Sequence, residues 1–452
     1  MGIELDWQIE TDQAADRGQE DPLLRQQRRR DLITIILFTV MVAVFIVILG
    51  GVIALRVTNV EDQLRQGLIS AAKNEINTLK IADLPGFLAM MRGGHADWTR
   101  QQSQRFAAYQ QLKQAGLIQF TDQLVEAVVD GQRGRVLVEE IVNGQKYHVL
   151  WYFWRYADGW RHVPSDLTFW GTPNTLEAAF VKIRYQSLDQ SLAEALSPKV
   201  NAWWTQGCEA LGCRSVPLIT LQIAPTIGTT PRWDDTEPYT LLVPSAFSSG
   251  DRTLIEPIVS QSLENALAGR LAEKLFSHAT QNLSVIPNSD AAWLRGAVVE
   301  WLTLRFTGRG DSVQSAFVQS IYSRYGATGL SALLQALTPN ADIATLGLAL
   351  RQPLEALPVD WRGFFQWRLT LEREYLKVNN GQAYRNLWEN NAESARNAQG
   401  WQTVALSTLP LVQTVSVGAE NGTSAATVQA QINGQTAVLK FRVVNGTWKR
   451  VS

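Results

Sequence analysis

The sequence predicts an α+β membrane protein: a single transmembrane helix, a module of helices on a curved antiparallel sheet, a mostly helical domain, and a second, smaller helix-plus-sheet module. Three observations carry this. Leu32 to Leu55 contains no charged residue. Alternating strand-like segments punctuated by Asn-Gly or Asp-Gly occur twice, far apart in the chain. Between them the apolar period changes from two to about 3.6, the helical period.

The apolar run, "LITIILFTVMVAVFIVILGGVIAL", spans about 36 Å as a helix, enough to cross a hydrocarbon core of roughly 30 Å with some tilt. More than thirty residues precede it, which sets it apart from a cleaved signal peptide. Arg25, Arg28, Arg29 and Arg30 abut its N-terminal side, whereas Arg56 and Arg65 on the far side are mixed with Glu61 and Asp62. The positive-inside rule then places the N-terminus in the cytoplasm and the main body outside. The lipid bilayer is thus the first expected partner. Residues 1–31 read as a disordered cytoplasmic tail, and Val60 to Asp83 as a helix standing off the bilayer. A net charge of −1 supplies no electrostatic argument for nucleic acid.

In residues 60–174 the strand signals are "QLVEAVVD", then "VLVEEIV" and "QKYHVLWYFWRYA" about Asn143-Gly144, then "WRHVP" after Asp158-Gly159. Asn-Gly and Asp-Gly supply the positive φ of tight hairpin turns, so a four-strand meander is expected. Residues 371–452 repeat the pattern, with breaks at Asn421-Gly422, Asn433-Gly434 and Asn445-Gly446. "INGQTAVLKFRVVNGTWKRV" can be laid against "VNGQKYHVLWYFWRYADGWRHV" with one-residue gaps, and a helix precedes the sheet in both. Two copies of one unit is the economical reading. Segment order and the "DGWRHV" ending resemble the nuclear transport factor two-like (SnoaL-like) superfamily. That resemblance implies a cone whose cavity, in the first copy, would be reached by His148, Arg155 and Trp160. It also allows a purely structural role in self-association.

In residues 175–370, "VPLITLQIAP" and "YTLLVPS" read as strands. Helical periods follow over Leu254 to Ala279, Asp290 to Phe306, Val313 to Leu337 and Asp360 to Leu376. Gly296 and Trp301 suit close packing between neighbouring helices. Cys208 and Cys213 in "GCEALGCRS" suit a small disulfide loop outside the cytoplasm, and no histidine or further cysteine stands near them in sequence to suggest zinc.

The order of strands, long helix, loop and Trp-Leu-containing helix resembles the peptidase MA-like, or gluzincin, metallopeptidases. In that family the first helix carries His-Glu-x-x-His, two zinc ligands one turn apart and a glutamate that activates water. Here those positions hold Asn265, Ala266, Leu267, Ala268 and Gly269, so both ligands and the base are replaced. On the next helix Arg295 precedes the glycine where an anionic ligand should stand, and Glu300 lies one turn out of place. Of the four histidines, His95, His148 and His162 belong to the preceding module, and only His278 lies on this helix. Glu264 and Glu273 read as solvated helix faces, and His148 as a cross-strand partner of Glu139. The resemblance therefore implies a noncatalytic relative: no metal, no cofactor, no catalytic residue, and a groove able to hold a peptide or protein partner by strand pairing along Tyr239 to Ser245. The rival readings are a hydrolase with an unorthodox site in this domain, and a small-molecule site in the first module.

Overall fold

The computed structural model describes residues 22–93, 96–248, 252–402 and 409–451. His95 and the first 21 residues of the expected tail lie outside these. The chain divides into two compact units, one of Met1–Gln110, Leu124–Val136 and Tyr152–Val163, the other of Gln111–Gln123, Leu137–Trp151 and Pro164–Ser452. Each is taken by itself.

In the first unit, α1 (Pro22–Ile81) is one unbroken helix of 60 residues. Residues 22–31, expected to be irregular, already belong to it. Pro22 at the first helical position and the run of Leu, Arg and Gln behind it favour an early start. Within α1, Leu32–Leu49 is long and apolar enough to cross a membrane, and none of it is buried against protein. Along the chain α2 (Leu84–Ala89) and α3 (Ala96–Gln114) follow, then the strands β1 (Ile118–Asp130), β2 (Arg133–Val142), β3 (Gln145–Tyr156) and β4 (Gly159–Val163); α3, β1, β2 and β3 each have residues in both units. They form the expected meander, with β4 antiparallel to the Tyr152–Tyr156 end of β3. Asn143 takes φ +53° at the hairpin its Asn-Gly pair predicts.

The second unit adds β5 (Pro173–Glu177), β6 (Val181–Gln186), α4 (Gln190–Leu211), β7 (Ile219–Ala224), β8 (Arg232–Trp233), β9 (Thr240–Pro244) and β10 (Thr253–Leu254). Five of these strands make a sheet in the order β5-β6-β7-β9-β8, in which β6, β7 and β9 run parallel. Three sequence readings change here. The edge expected along Tyr239 to Ser245 is covered: β9 is fully buried, parallel to β7 on one side and paired with β8 at Leu241 and Leu242 on the other. The helix expected from Leu254 begins only at α5 (Gln261–Ala279), because Thr253 and Leu254 pair with β3 and Pro257 cannot sit inside a helix. Its start is set by Ser260, whose Oγ accepts from Leu263 N. In α6 (Asp290–Thr307), Gly296 is exposed and a Cβ there would meet nothing within 4 Å, so close packing is not its role.

α7 (Val313–Ala336) is broken at Gly326, where φ is +64°. α8 (Ala344–Leu350), α9 (Arg362–Lys377), α10 (Gly381–Arg385) and α11 (Asn391–Gln402) precede the second meander of β11 (Leu411–Glu420), β12 (Thr423–Ile432), β13 (Gln435–Val444) and β14 (Thr447–Arg450). One continuous cluster of buried side chains runs from Val181 to Trp448, with no break at residue 370. The reason is α9, which belongs to both regions. Its Phe364 packs edge-on to Trp293 of α6, while Phe365 packs on Phe441 of β13 and Trp448 of β14.

The two meanders share one plan, and the likeness extends to side-chain detail. "EINTLKIADLPGFLAMM" (Glu75 to Met91) aligns without a gap to "EREYLKVNNGQAYRNLW" (Glu372 to Trp388). Ala82 and Asn379 both leave their helix with positive φ, at +60° and +55°. Asp83 and Asn380 then cap the next short helix, accepting from Gly86 N and Ala383 N. Phe87 and Tyr384 are buried at the same point of that helix. Met91 makes a parallel bridge to His162, as Trp388 does to Arg450. Each bridged residue holds the glutamate at the start of its motif. His162 Nδ1 lies 2.9 Å from Glu75 Oε1, and Arg450 Nη1 donates to Glu372 Oε2 at 2.8 Å, all four side chains at most 4% exposed. A buried glutamate on the long helix thus ties the last strand of each sheet.

Burial pushes the Glu372 carboxyl above its ordinary range against the opposing pull of Arg450 and Arg368, and raises Asp290 against Arg368 and Lys449, with Asp342 adding to the rise. A raised folded-state value means that the stabilising contribution is complete below the unfolded-state value of about 4 and is lost as pH rises through the folded one. Urea unfolding of the chain is therefore expected to show stability falling with pH above about 4, with a shallower fall in Glu372→Gln. An unchanged slope in that variant assigns the dependence elsewhere.

Candidate functional site

The long helix α5 carries the positions where the peptidase-like reading expects zinc chemistry. Asn265 is exposed, while Ala266 and Gly269 are half-buried. A Cβ built on Gly269 meets nothing within 4 Å, so this face of the helix borders open space. Arg295, in the first turns of α6, is exposed, and Glu300 is half-buried. The nearest carboxylate in sequence, Glu264, is only 7% exposed, which corrects its reading as a solvated face. Its Oε1 accepts from Lys199 Nζ at 2.7 Å and its Oε2 pairs with Arg309 Nη2 at 2.9 Å. Two cations thus hold and neutralise it. Glu273 does face solvent, paired with Arg270 one turn away.

At the other end of α5, His278 meets groups from loops distant in sequence. Its Nε2 lies 3.2 Å from the Ser215 carbonyl and its Nδ1 3.1 Å from Tyr239 Oη. A carbonyl only accepts, so Nε2–H donates to Ser215, and in the neutral ring the Tyr239 hydroxyl donates to Nδ1. Cys208 and Cys213 are joined as a disulfide across the end of α4, whose cap Gly212 takes φ +66°. The two sulfurs and one His278 nitrogen all lie within 4.8 Å of one another.

A cavity of about 640 Å³ opens where α6 ends and α7 begins, lined in part by Trp301, Arg305, Asp311, Ser312, Gln319 and Arg362. Gln319 Oε1 accepts from Trp301 Nε1 at 2.8 Å and fixes the indole. The Arg305 guanidinium lies 5.6 Å from the Trp301 ring centre and 5.0 Å from that of Tyr322. It forms no ion pair among the described residues. Arg362 is bound to Asp360, which raises the arginine and holds the aspartate below the usual carboxylate range. The i, i+4 spacing of Trp301 and Arg305 on a helix was the only sequence signal for this wall.

In the first module, Arg155 and Trp160 are cross-strand partners at the β3–β4 hairpin, the arginine exposed and the indole buried against Gly67 and Gly134. His148 is half-buried opposite Thr253 of β10. Burial lowers its pKa, with Glu139 raising it and Lys146 lowering it further. No protein-family model and no curated protein matches the chain. Function must be read from the geometry.

Proposed function

We propose that the chain is a membrane-anchored binding protein with its N-terminus in the cytoplasm and its body outside. In this reading the middle region is a noncatalytic relative of the peptidase MA-like fold, between two nuclear transport factor two-like modules. The carrying observation is the state of the α5 face. It presents Asn265, Ala266 and Gly269 to open space, and the adjacent carboxylate, Glu264, is neutralised by Lys199 and Arg309. A water-activating base must have a lone pair within reach of the reacting proton, and this carboxylate spends both oxygens on cations.

The partner is an acidic peptide segment, held in the cavity at the α6–α7 corner. Arg305 offers a guanidinium with no ion pair among the described residues, and planar guanidinium forks bind carboxylates in two-point contact. Trp301 and Leu304 supply the apolar wall. Strand pairing on β9 plays no part, since that strand is covered.

Full-length protein in detergent is titrated with a fluorescent Glu-rich peptide containing one aromatic residue and with its Lys-rich counterpart. The acidic peptide is expected to bind and remain intact, and Arg305→Glu to weaken it by about tenfold to a hundredfold, as loss of a charge-assisted hydrogen bond implies. Cleavage that depends on zinc, or equal affinity in Arg305→Glu, overturns the reading. Concentration-dependent self-association without peptide binding transfers the function to assembly.

A further inference from the structure

We propose that Cys208, Cys213 and His278 form a redox-gated zinc(II) site, closed while the two cysteines are bonded and opened when they are reduced. Sequence gave no hint of it, because His278 stands 65 residues beyond Cys213. The fold supplies the third ligand by packing the last turn of α5 against the end of α4.

The geometry fits a metal in four respects. The ligand atoms already converge, all within 4.8 Å of one another. With Zn–S bonds of about 2.3 Å, a tetrahedral ion asks the sulfurs to stand about 3.7 Å apart, a separation the thiols reach by side-chain rotation. The supporting backbone is unequal in a useful way. Cys208 is 1% exposed on the last turns of α4, while Cys213 follows the left-handed Gly212 and is half-buried, so it is the ligand able to turn. The imidazole is oriented beforehand. Whichever ring nitrogen takes the metal, the other keeps a partner, Ser215 O for Nε2–H or Tyr239 Oη for Nδ1–H. Metal-bound histidines ordinarily have such an outer partner, which fixes the tautomer. Finally, two thiolates and an imidazole are a donor set suited to zinc, and three protein ligands leave a fourth position for water.

The chemistry balances as follows. Two equivalents of a small thiol reduce the disulfide: the S–S bond breaks, it gains two electrons and two protons, and the reductant leaves as its own disulfide. Zinc then displaces the two thiol protons to solvent and binds both thiolates and one imidazole nitrogen. A small disulfide reverses this: it takes the two electrons and, with two protons from solvent, leaves as two thiols, while the Cys208–Cys213 bond re-forms and the ion departs, because a disulfide offers no thiolate. None of Cys208, Cys213 and His278 lines the α6–α7 cavity, so this site stands independently of the peptide-binding reading.

The test uses the full chain in detergent, reduced anaerobically with a phosphine, freed of reductant, exposed to zinc(II) and gel-filtered before elemental analysis. Cobalt(II) on a parallel sample reports thiolate coordination through its charge-transfer band. The reduced wild type is expected to retain one zinc per chain and the oxidised protein essentially none. His278→Gln should still form the disulfide yet bind zinc more than about tenfold more weakly, the loss that disturbing even an outer partner causes. Equal zinc in oxidised and reduced protein overturns the site. So does reduced wild type that holds no more than Cys208→Ser/Cys213→Ser, or His278→Gln that binds like wild type.

Discussion

Replacing Glu372 by alanine is expected to cost about 3–5 kcal/mol of unfolding free energy, the range seen when one partner of a buried ion pair is removed. Arg450 stays charged at any accessible pH, and its side chain is 4% exposed, so removing the paired carboxylate leaves a charge where water is scarce. The equivalent change in the first module, Glu75→Ala, should cost less, about 1–3 kcal/mol, the penalty of disturbing a buried polar group. His162 sits at the same structural position, its Nδ1 2.9 Å from both Glu75 carboxylate oxygens. Urea titration of the two variants measures both losses. Equal losses would show that the guanidinium is no costlier than the imidazole to leave without its carboxylate. A loss below about 1 kcal/mol, the level of an exposed pair, would remove Glu372 from its tying role.

Trp448→Ala is expected to lose a further, separate 3–5 kcal/mol, the usual cost of emptying a buried aromatic site. Its indole is 0% exposed and lies 5.4 Å from the Phe365 ring and 6.0 Å from that of Trp361, centre to centre. These contacts join β14 to α9 and so to the single core of the second unit. Trp154→Ala is the fitting comparison, because that ring is 46% exposed and its loss should stay within about 0.5 kcal/mol. If the two variants unfold at the same denaturant concentration, the second meander is not part of that core.

The peptide and zinc experiments bear on different places in the fold, the α6–α7 corner and the contact between the ends of α4 and α5. Arg305→Glu leaves Cys208, Cys213 and His278 untouched, and His278→Gln leaves the α6–α7 cavity untouched. Each proposal can therefore fail alone.

Local signals, read directly from the chain, determined the parts whose physics is local. Charge-free length marks Leu32–Leu49 as fit to cross a membrane, because the backbone satisfies itself in a helix and the side chains need only be apolar. Asn143, Asn421, Asn433 and Asn445 all adopt the positive φ that their Asn-Gly pairs foretell. Ser260, Ser289 and Ser312 cap their helices, a local signal that the reading of a helix from Leu254 passed over at Ser260. The five-residue spacing of the cysteines was enough to suggest their bond. The repeat was half legible: the strand endings aligned on sight, while the stronger match from Glu75 to Met91 became visible only once equivalent bridges and caps identified its register.

Tertiary structure alone decided the charged interior and both candidate sites. Glu75 meets His162 across 87 positions and Glu372 meets Arg450 across 78. Glu264 read as solvated because a helical glutamate usually is, yet Lys199 and Arg309 arrive from outside its helix to hold it in the interior. His278 reaches the cysteine pair by the packing of α5 on α4, and β8 covers an edge that the alternation of β9 alone left open. Helix periods, turns and caps depend on residues three or four apart, so sequence carries them. Which side chain meets which across a core depends on how whole elements pack, and no local spacing encodes that.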